Sequence, residues 1–152
     1  MEFTVRPIAF VRNERRSVVD DDWDDVVSTI EFTDDVPSEA LWGLKEFSHV
    51  EVVFFAALAK DVPPGLWHRR PRGNERWPDV GVFAQRNKDR PNRLMLSIAA
   101  IERVEARSLT VRGLDALDAT PVLDVKPVYS WSGPRGELGV APWSIELGEH
   151  YF

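Results

Sequence analysis

The sequence predicts a mainly β fold: a single domain covering residues 1–152, an all-β barrel or sandwich with short helices and a long Pro/Arg-rich loop. Three observations lead there. Runs with β-branched or alternating character recur at 4–12, 26–32, 50–58, 80–84, 94–104, 109–114 and 122–125, whereas helical periodicity is sparse. Between the third and fourth runs, residues 61–79 hold four of the eleven prolines and two glycines, which marks an irregular excursion. Hydrophobic residues make up 43% of the chain and include six Trp and eight Phe, ample for one core and a ligand pocket.

Taken in order, 4–12 alternates and reads as a strand, and 13–25 is too charged to pack, so an exposed loop is expected there. A second strand follows at 26–32. Residues 37–44 begin with Pro37 and place Leu41 and Leu44 one turn apart, which predicts one or two helical turns. The run 50–58 is almost continuously apolar and rich in Val and Phe, as a buried strand is. A short strand at 80–84 leads into a polar connector at 85–93, then strands at 94–104, 109–114 and 122–125. The stretch 141–151 opens Ala141-Pro142-Trp143 and predicts a short helix with Pro142 in its first turn. No Gly-x-Gly-x-x-Gly links a strand to a helix, so neither a Rossmann-type site nor a P-loop is expected.

Charge is distributed unevenly over a net −6. From Glu14 to Glu39 ten acids face two arginines, whereas from Arg69 to Arg93 eight bases face three acids. The acidic total opposes nucleic-acid binding, yet the second stretch offers an anion-receiving face. The absence of cysteine excludes disulfides, thiolate zinc sites and cysteine nucleophiles, and fits a cytoplasmic protein. No apolar run is long enough for a membrane span. His49, His68 and His150 lack ligand spacing, so no metal site is expected. Ser48-His49 is no triad, because neighbours on a strand point to opposite faces.

Three stretches carry candidate chemistry. In 81–93, a strand runs into a loop with four cations and three amides, and Pro91 pins the bend. Such a loop at a strand end suits a small charged ligand. In 112–127, Asp124 and Lys126 sit two apart on one strand face, where they can pair. Asp115 and Asp118 flank a tight turn, available to backbone amides or a ligand amine. The third, Glu46-Phe47-Ser48-His49-Val50, reads as structural.

In this order, Pro7-Ile8-Ala9-Phe10-Val11-Arg12, Gly43-Leu44-Lys45-Glu46-Phe47-Ser48-His49, Gly81-Val82-Phe83-Ala84-Gln85-Arg86, Arg90-Pro91-Asn92, and Gly113-Leu114-Asp115 through Lys126-Pro127 resemble the TsaA-like (TrmO) family. The resemblance covers about residues 4–130, in the compact single-domain branch. It implies a β-barrel homodimer that binds S-adenosylmethionine near the subunit boundary. The family's activity is methylation of threonylcarbamoyladenosine in tRNA. Carried over by motif, the cofactor contacts would come from Phe83, Ala84, Gln85 and Arg86, from Leu96, and from Arg112, Gly113, Leu114 and Asp115. Asp22 and Trp23 would approach from the other side, and Arg90, Pro91 and Asn92 would shape the loop. Asp115, Asp118 and Tyr129 are the candidate catalytic groups. Two family glycines are replaced, by Met95 and by Ala119, and both changes are expected to reshape or fill the pocket.

The resulting expectation is an S-adenosylmethionine-dependent methyltransferase acting on a heteroatom of a small molecule or of tRNA. Two alternatives stand beside it. In one, the cofactor is consumed without methyl transfer, with methylthioadenosine released as in 1-aminocyclopropane-1-carboxylate formation. In the other, the chain is a non-catalytic cofactor-binding dimer.

Overall fold

The computed structural model describes residues 1–59 and 66–152. Its strands are β1 (Ala9–Arg12), β2 (Val27–Phe32), β3 (His49–Phe55), β4 (His68–Arg69), β5 (Val80–Gly81), β6 (Leu94–Val104), β7 (Ser108–Arg112) and β8 (Pro121–Pro127). Six of them close an antiparallel barrel in the order β1-β2-β7-β6-β3-β8, while β4 and β5 form a separate two-stranded sheet. Among the described residues helix is confined to short 3-10 turns and to α1 (Pro142–Gly148). No helix among the described residues is long and apolar enough to cross a membrane.

Alternation explains the barrel. On β3, Val50, Val52 and Phe54 point inward and are fully or almost fully buried. Each such side chain contributes about 1.5–3 kcal/mol of transfer free energy. The facing inward set on β6 is Met95, Ser97 and Ala99, in register with Phe54, Val52 and Val50. Ile30, Leu109, Val111 and Val122 close the core from the other strands. Outward on β6 stand Leu94, Leu96 and Ile98, all exposed.

The predicted elements are found with shifted ends. The first strand begins at Ala9, not at residue 4. The third ends at Phe55, because the Ala57 and Ala59 N–H groups donate to the carbonyls of Phe55 and Ala56 and turn the chain. The stretch expected as a strand over 80–84 is extended only at Val80–Gly81, then winds into a 3-10 turn at Val82–Ala84. In the excursion 61–79, residues 61–65 lie outside the described residues, and the remainder contains β4, which the sequence did not announce.

One irregularity positions the site. β6 pairs with β3 from Leu94 to Ala100, but on its other edge it pairs with β7 only from Ala100 to Val104. Beyond Arg112 the chain turns away at Gly113, whose φ of 79° is a left-handed value that glycine adopts without strain. The edge of β6 over Leu94–Ala99 is thus left without a ladder, and the barrel wall parts at that end.

Candidate functional site

The strand directions gather the C-terminal ends of β1, β3 and β7 and the N-terminal ends of β2, β6 and β8 at one end of the barrel, where the wall parts. Here the 85–93 loop is braced from within. Gln85 is buried, and its Nε2 donates to the carbonyls of Arg69 (2.9 Å) and Val80 (3.0 Å). Arg90 donates back to the Gln85 carbonyl (3.2 Å), and Arg69 grips Asp89 through two nitrogens at 3.1 Å. A turn with Pro91 at its second position closes when the Arg93 N–H donates to the Arg90 carbonyl. This bracing delivers Arg86 to the open edge, where its Nη2 donates to the Leu96 carbonyl at 2.6 Å.

Across the parting lies Asp115. Its Oδ2 accepts from the Tyr151 hydroxyl at 2.5 Å. Burial raises the carboxyl pKa, opposed by the Tyr151 hydroxyl, by Ser97 and by the charge of Arg86. The Tyr151 phenol is in turn driven above the ordinary phenol range, first by burial and then by the Asp115 charge. Although Ser97 faces the same carboxylate, Asp115 Oδ1 is buried and closes no hydrogen bond among the described residues. Asn87 Oδ1, on the braced loop, is in the same position. A buried acceptor left unmade costs about 1–3 kcal/mol, and such atoms in a folded protein call for a partner.

The acidic loop forms the next wall; most of it is exposed, as expected over 13–25, and it is anchored by a few inward contacts. Trp23 is buried, with the Arg15 guanidinium 5.1 Å from its ring centre. Asn13 Nδ2 donates to Ser28 Oγ and to the Ala116 carbonyl, both at 2.8 Å. Arg72 pairs with Asp21 through both carboxylate oxygens, at 2.5 and 3.1 Å. Residues 142–152 then cross over. Trp77 Nε1 donates to Glu146 (2.9 Å), and the N–H groups of Asp22 and Trp23 donate to the carbonyls of His150 and Tyr151, both at 3.1 Å.

The candidates named from sequence are thus partly assembled. Asp22, Trp23, Gln85, Arg86, Arg90, Pro91, Asn92, Leu96, Arg112, Gly113, Leu114 and Asp115 all belong to the elements that meet at this end. Within the Phe83-Ala84 pair, Phe83 is exposed and packs on Trp67, with ring centres 6.5 Å apart. Arg112 is engaged by Glu102. Asp118 is structural: its Oδ1 accepts from the Asn13 N–H at 3.2 Å. Tyr129 follows the far end of β8, at the opposite mouth of the barrel, and stacks against Phe47 and Trp131, so the structure does not bring it to Asp115. Ser48 and His49, whose side groups are 2.8 Å apart because Ser48 precedes the strand, also lie at that far mouth. Asp124 pairs with Lys126 as their spacing predicted.

Both replaced glycines have outcomes that differ from expectation. Met95 does not fill the parting, because strand parity sends it inward against the core opposite Phe54. Ala119 holds φ at 63°, a left-handed conformation that costs an L-residue about 1–2 kcal/mol, and here the loss of glycine is borne as backbone strain. Sequence reasoning missed Tyr151. Its one signal was a polar tail ending in two adjacent aromatics, Tyr151-Phe152.

Fold and geometry together define a closed six-stranded barrel with one polar, parted end. The chain belongs to the tRNA-methyltransferase O N-terminal domain family, which it matches over residues 19–132. RcsF of Pseudomonas aeruginosa, provisionally named an S-adenosylmethionine-dependent methyltransferase, is 43% identical over 96 residues, covering 62% of this chain and 39% of RcsF. A protein of Archaeoglobus fulgidus named as S-adenosyl-L-methionine-binding is 35% identical over 107 residues, covering 67% of this chain and 69% of that protein. The crystal structure of TrmO from Pseudomonas aeruginosa superposes with a TM-score of 0.76 at 28% identity, covering 94% of this chain and 62% of TrmO. The chain thus spans about two fifths of the length of RcsF and less than two thirds of TrmO.

Proposed function

We propose that the chain binds S-adenosylmethionine at the parting between β6 and the 113–117 turn and catalyses methyl transfer to a heteroatom of a small acceptor. The observation that carries the reading is the juxtaposition of a cation, Arg86, an unsatisfied buried carboxylate oxygen, Asp115 Oδ1, and an unladdered backbone edge over Leu94–Ala99. A zwitterionic nucleoside needs those three things. Its carboxylate needs an arginine, its ammonium or hydroxyl donors need an acceptor, and its base edge needs backbone N–H and C=O groups.

When bound, S-adenosylmethionine supplies an already activated methyl group. The protein's part is therefore alignment, which supplies up to about 7–11 kcal/mol of barrier lowering in well-oriented systems. Arg86 keeps donors to spare after bonding Leu96, since a guanidinium carries five. Asp115 offers an acceptor that is dry and fixed, and a charge that offsets positive charge nearby. The bracing by Gln85, Arg90 and Asp89 holds the Arg86 loop rigid without a bound partner.

A small acceptor is favoured by the state of the basic stretch. Arg69, Arg72 and Arg76 pair with Asp89, Asp21 and Glu146, and Arg86, Arg90 and Arg93 bond to backbone carbonyls. Among the described residues only the side chains of Arg70 and Lys88 in that stretch have no ionic or hydrogen-bonded partner. A second reading, transfer to a tRNA nucleoside, draws on the family match and on the ease with which exposed pairs such as Arg76–Glu146 exchange partners. The outward stripe Leu94, Leu96 and Ile98, continued by Val53 and Phe55 on β3, supports a homodimer, to be checked by light scattering.

Mass spectrometry of the cofactor after incubation, with and without acceptors, tests the reading. S-adenosylhomocysteine formed only with an acceptor supports it. Methylthioadenosine formed without one supports consumption of the cofactor instead, and unchanged cofactor under all conditions supports a binding module. A gel shift with anticodon-loop RNA at low salt separates the two acceptors.

A further inference from the structure

Residues 142–152 lie beyond the stretch matched by the family, yet they reach the centre of the candidate site. Their attachment is light. No residue of α1 is buried. Among the described residues, its hydrogen bonds, ion pair and ring contact with the rest of the chain are the Trp77–Glu146 hydrogen bond, the contact of the Trp77 and Trp143 rings at 6.4 Å, the exposed pair Arg76–Glu146, the two backbone bonds from Asp22 and Trp23, and the Tyr151 hydroxyl. Of the two stretches that hold the segment, the acidic loop is itself a wall of the site, and the other, Arg76-Trp77, lies between β4 and β5.

The terminal contact is what a ligand would have to meet. Asp115 Oδ2 is taken by Tyr151, and Oδ1, although unbonded, is buried beside it, so a ligand donor gains the carboxylate only when the phenol moves aside. We infer that Pro142–Phe152 is a releasable strap, and that the Tyr151 hydroxyl and an N–H or O–H donor of the ligand compete for the Asp115 carboxylate. A segment with few buried contacts and a handful of exposed hydrogen bonds opens at small cost, as such a competition requires. The phenol holds the carboxylate hydrogen-bonded and aligned until a better donor, the ammonium or hydroxyl of a zwitterionic nucleoside, takes its place. The charged groups around this contact are Arg86 from the braced loop, Asp20 from the acidic loop and Arg72, which is paired with Asp21, all of which interact with Tyr151.

The inference rests on the parting being the S-adenosylmethionine site, and the test separates the two. The full chain, Tyr151→Phe and Trp77→Phe are titrated with S-adenosylmethionine by calorimetry at pH 8. In parallel, hydrogen exchange of the Asp22 and Trp23 amides is followed with and without the compound. Tyr151→Phe removes the competitor and Trp77→Phe loosens the strap while leaving the Asp115–Tyr151 contact chemically intact. Tyr151→Phe is expected to bind roughly threefold to tenfold more tightly, and Trp77→Phe more tightly by a smaller factor. In the unaltered chain, adding the compound is expected to speed exchange of the two amides as the His150 and Tyr151 carbonyls leave. Binding by the unaltered chain together with unchanged or weaker binding by both variants, or slower exchange on addition, overturns the strap alone: the segment then closes on the ligand. No binding by any of the three overturns the site and the strap together.

Discussion

The two mouths of the barrel are built from the same six strands and differ in nearly every other respect. At the far mouth, Phe32, Leu41, Leu44, Phe47 and Tyr129 line a mostly apolar recess. At the parted mouth the ladder between β6 and β7 stops short, Asp22, Arg93 and Ala119 adopt left-handed conformations, and Asp115 is buried with an oxygen unsatisfied. Strain and unpaired polar atoms lower stability, so a fold carries them where binding or chemistry makes use of them. The contrast teaches that the far mouth and the wall carry the core packing, whereas the parted mouth gathers the strained backbone and the buried Asp115 carboxylate on which the proposed site rests.

Four substitutions break or sharpen that contrast, from the largest expected effect downward. Leu109→Ala removes a fully buried side chain from the wall and is expected to cost about 3 kcal/mol of stability in urea unfolding. The affinity of the folded protein for S-adenosylmethionine is expected to change little. Arg86→Ala reverses the pattern: stability nearly unchanged, affinity down about 30–100-fold by calorimetry, because a charge-assisted contact is lost.

Asp115→Asn is expected to lose cofactor affinity while raising thermal stability at pH 8. The sign follows from the shift. The folded-state pKa of Asp115 is raised, so its contribution to stability is fully present below the unfolded value and is lost as pH rises through the folded value. An amide avoids the buried charge. A gain of about 1 kcal/mol would raise the melting temperature by about 3 °C at pH 8, and the gain should vanish as the pH approaches 4. Ala119→Gly is the smallest, a gain of about 0.5–1 kcal/mol measured by urea unfolding, as relief of the left-handed strain outweighs the added chain entropy of glycine.

The contrast also separates what the residues disclose locally from what they do not. The barrel was legible because burial follows strand parity, and inward Val50, Val52 and Phe54 alternate with outward Glu51 and Val53. The same parity places Met95 inward beside Ser97 and Ala99, so the methionine that stands for a family glycine alters the core, while its expected effect of reshaping or filling the pocket needs the face as well as the residue type. The braced loop was legible as a Pro-pinned run of cations, since Gln85, Arg86, Arg90 and Pro91 act within a few residues of one another. Asp118 and Tyr129 were named for their chemistry. Their neighbours, Asn13 for one and Phe47 with Trp131 for the other, decide their roles. The Tyr151–Asp115 contact joins residues 36 apart through a tail with no periodic pattern, and neither propensity nor spacing carries that information. The parting depends likewise on where one ladder ends, which is settled by the left-handed turn at Gly113 in its tertiary setting.

The most direct test of the parted mouth is a pair of calorimetric titrations at pH 8, S-adenosylmethionine into the unaltered chain and into Asp115→Asn. Saturable binding by the first with a loss of tenfold or more in the second, roughly the share expected of a buried hydrogen-bonded charge, is the predicted result. Equal affinity in the two, or none in the unaltered chain, would contradict it.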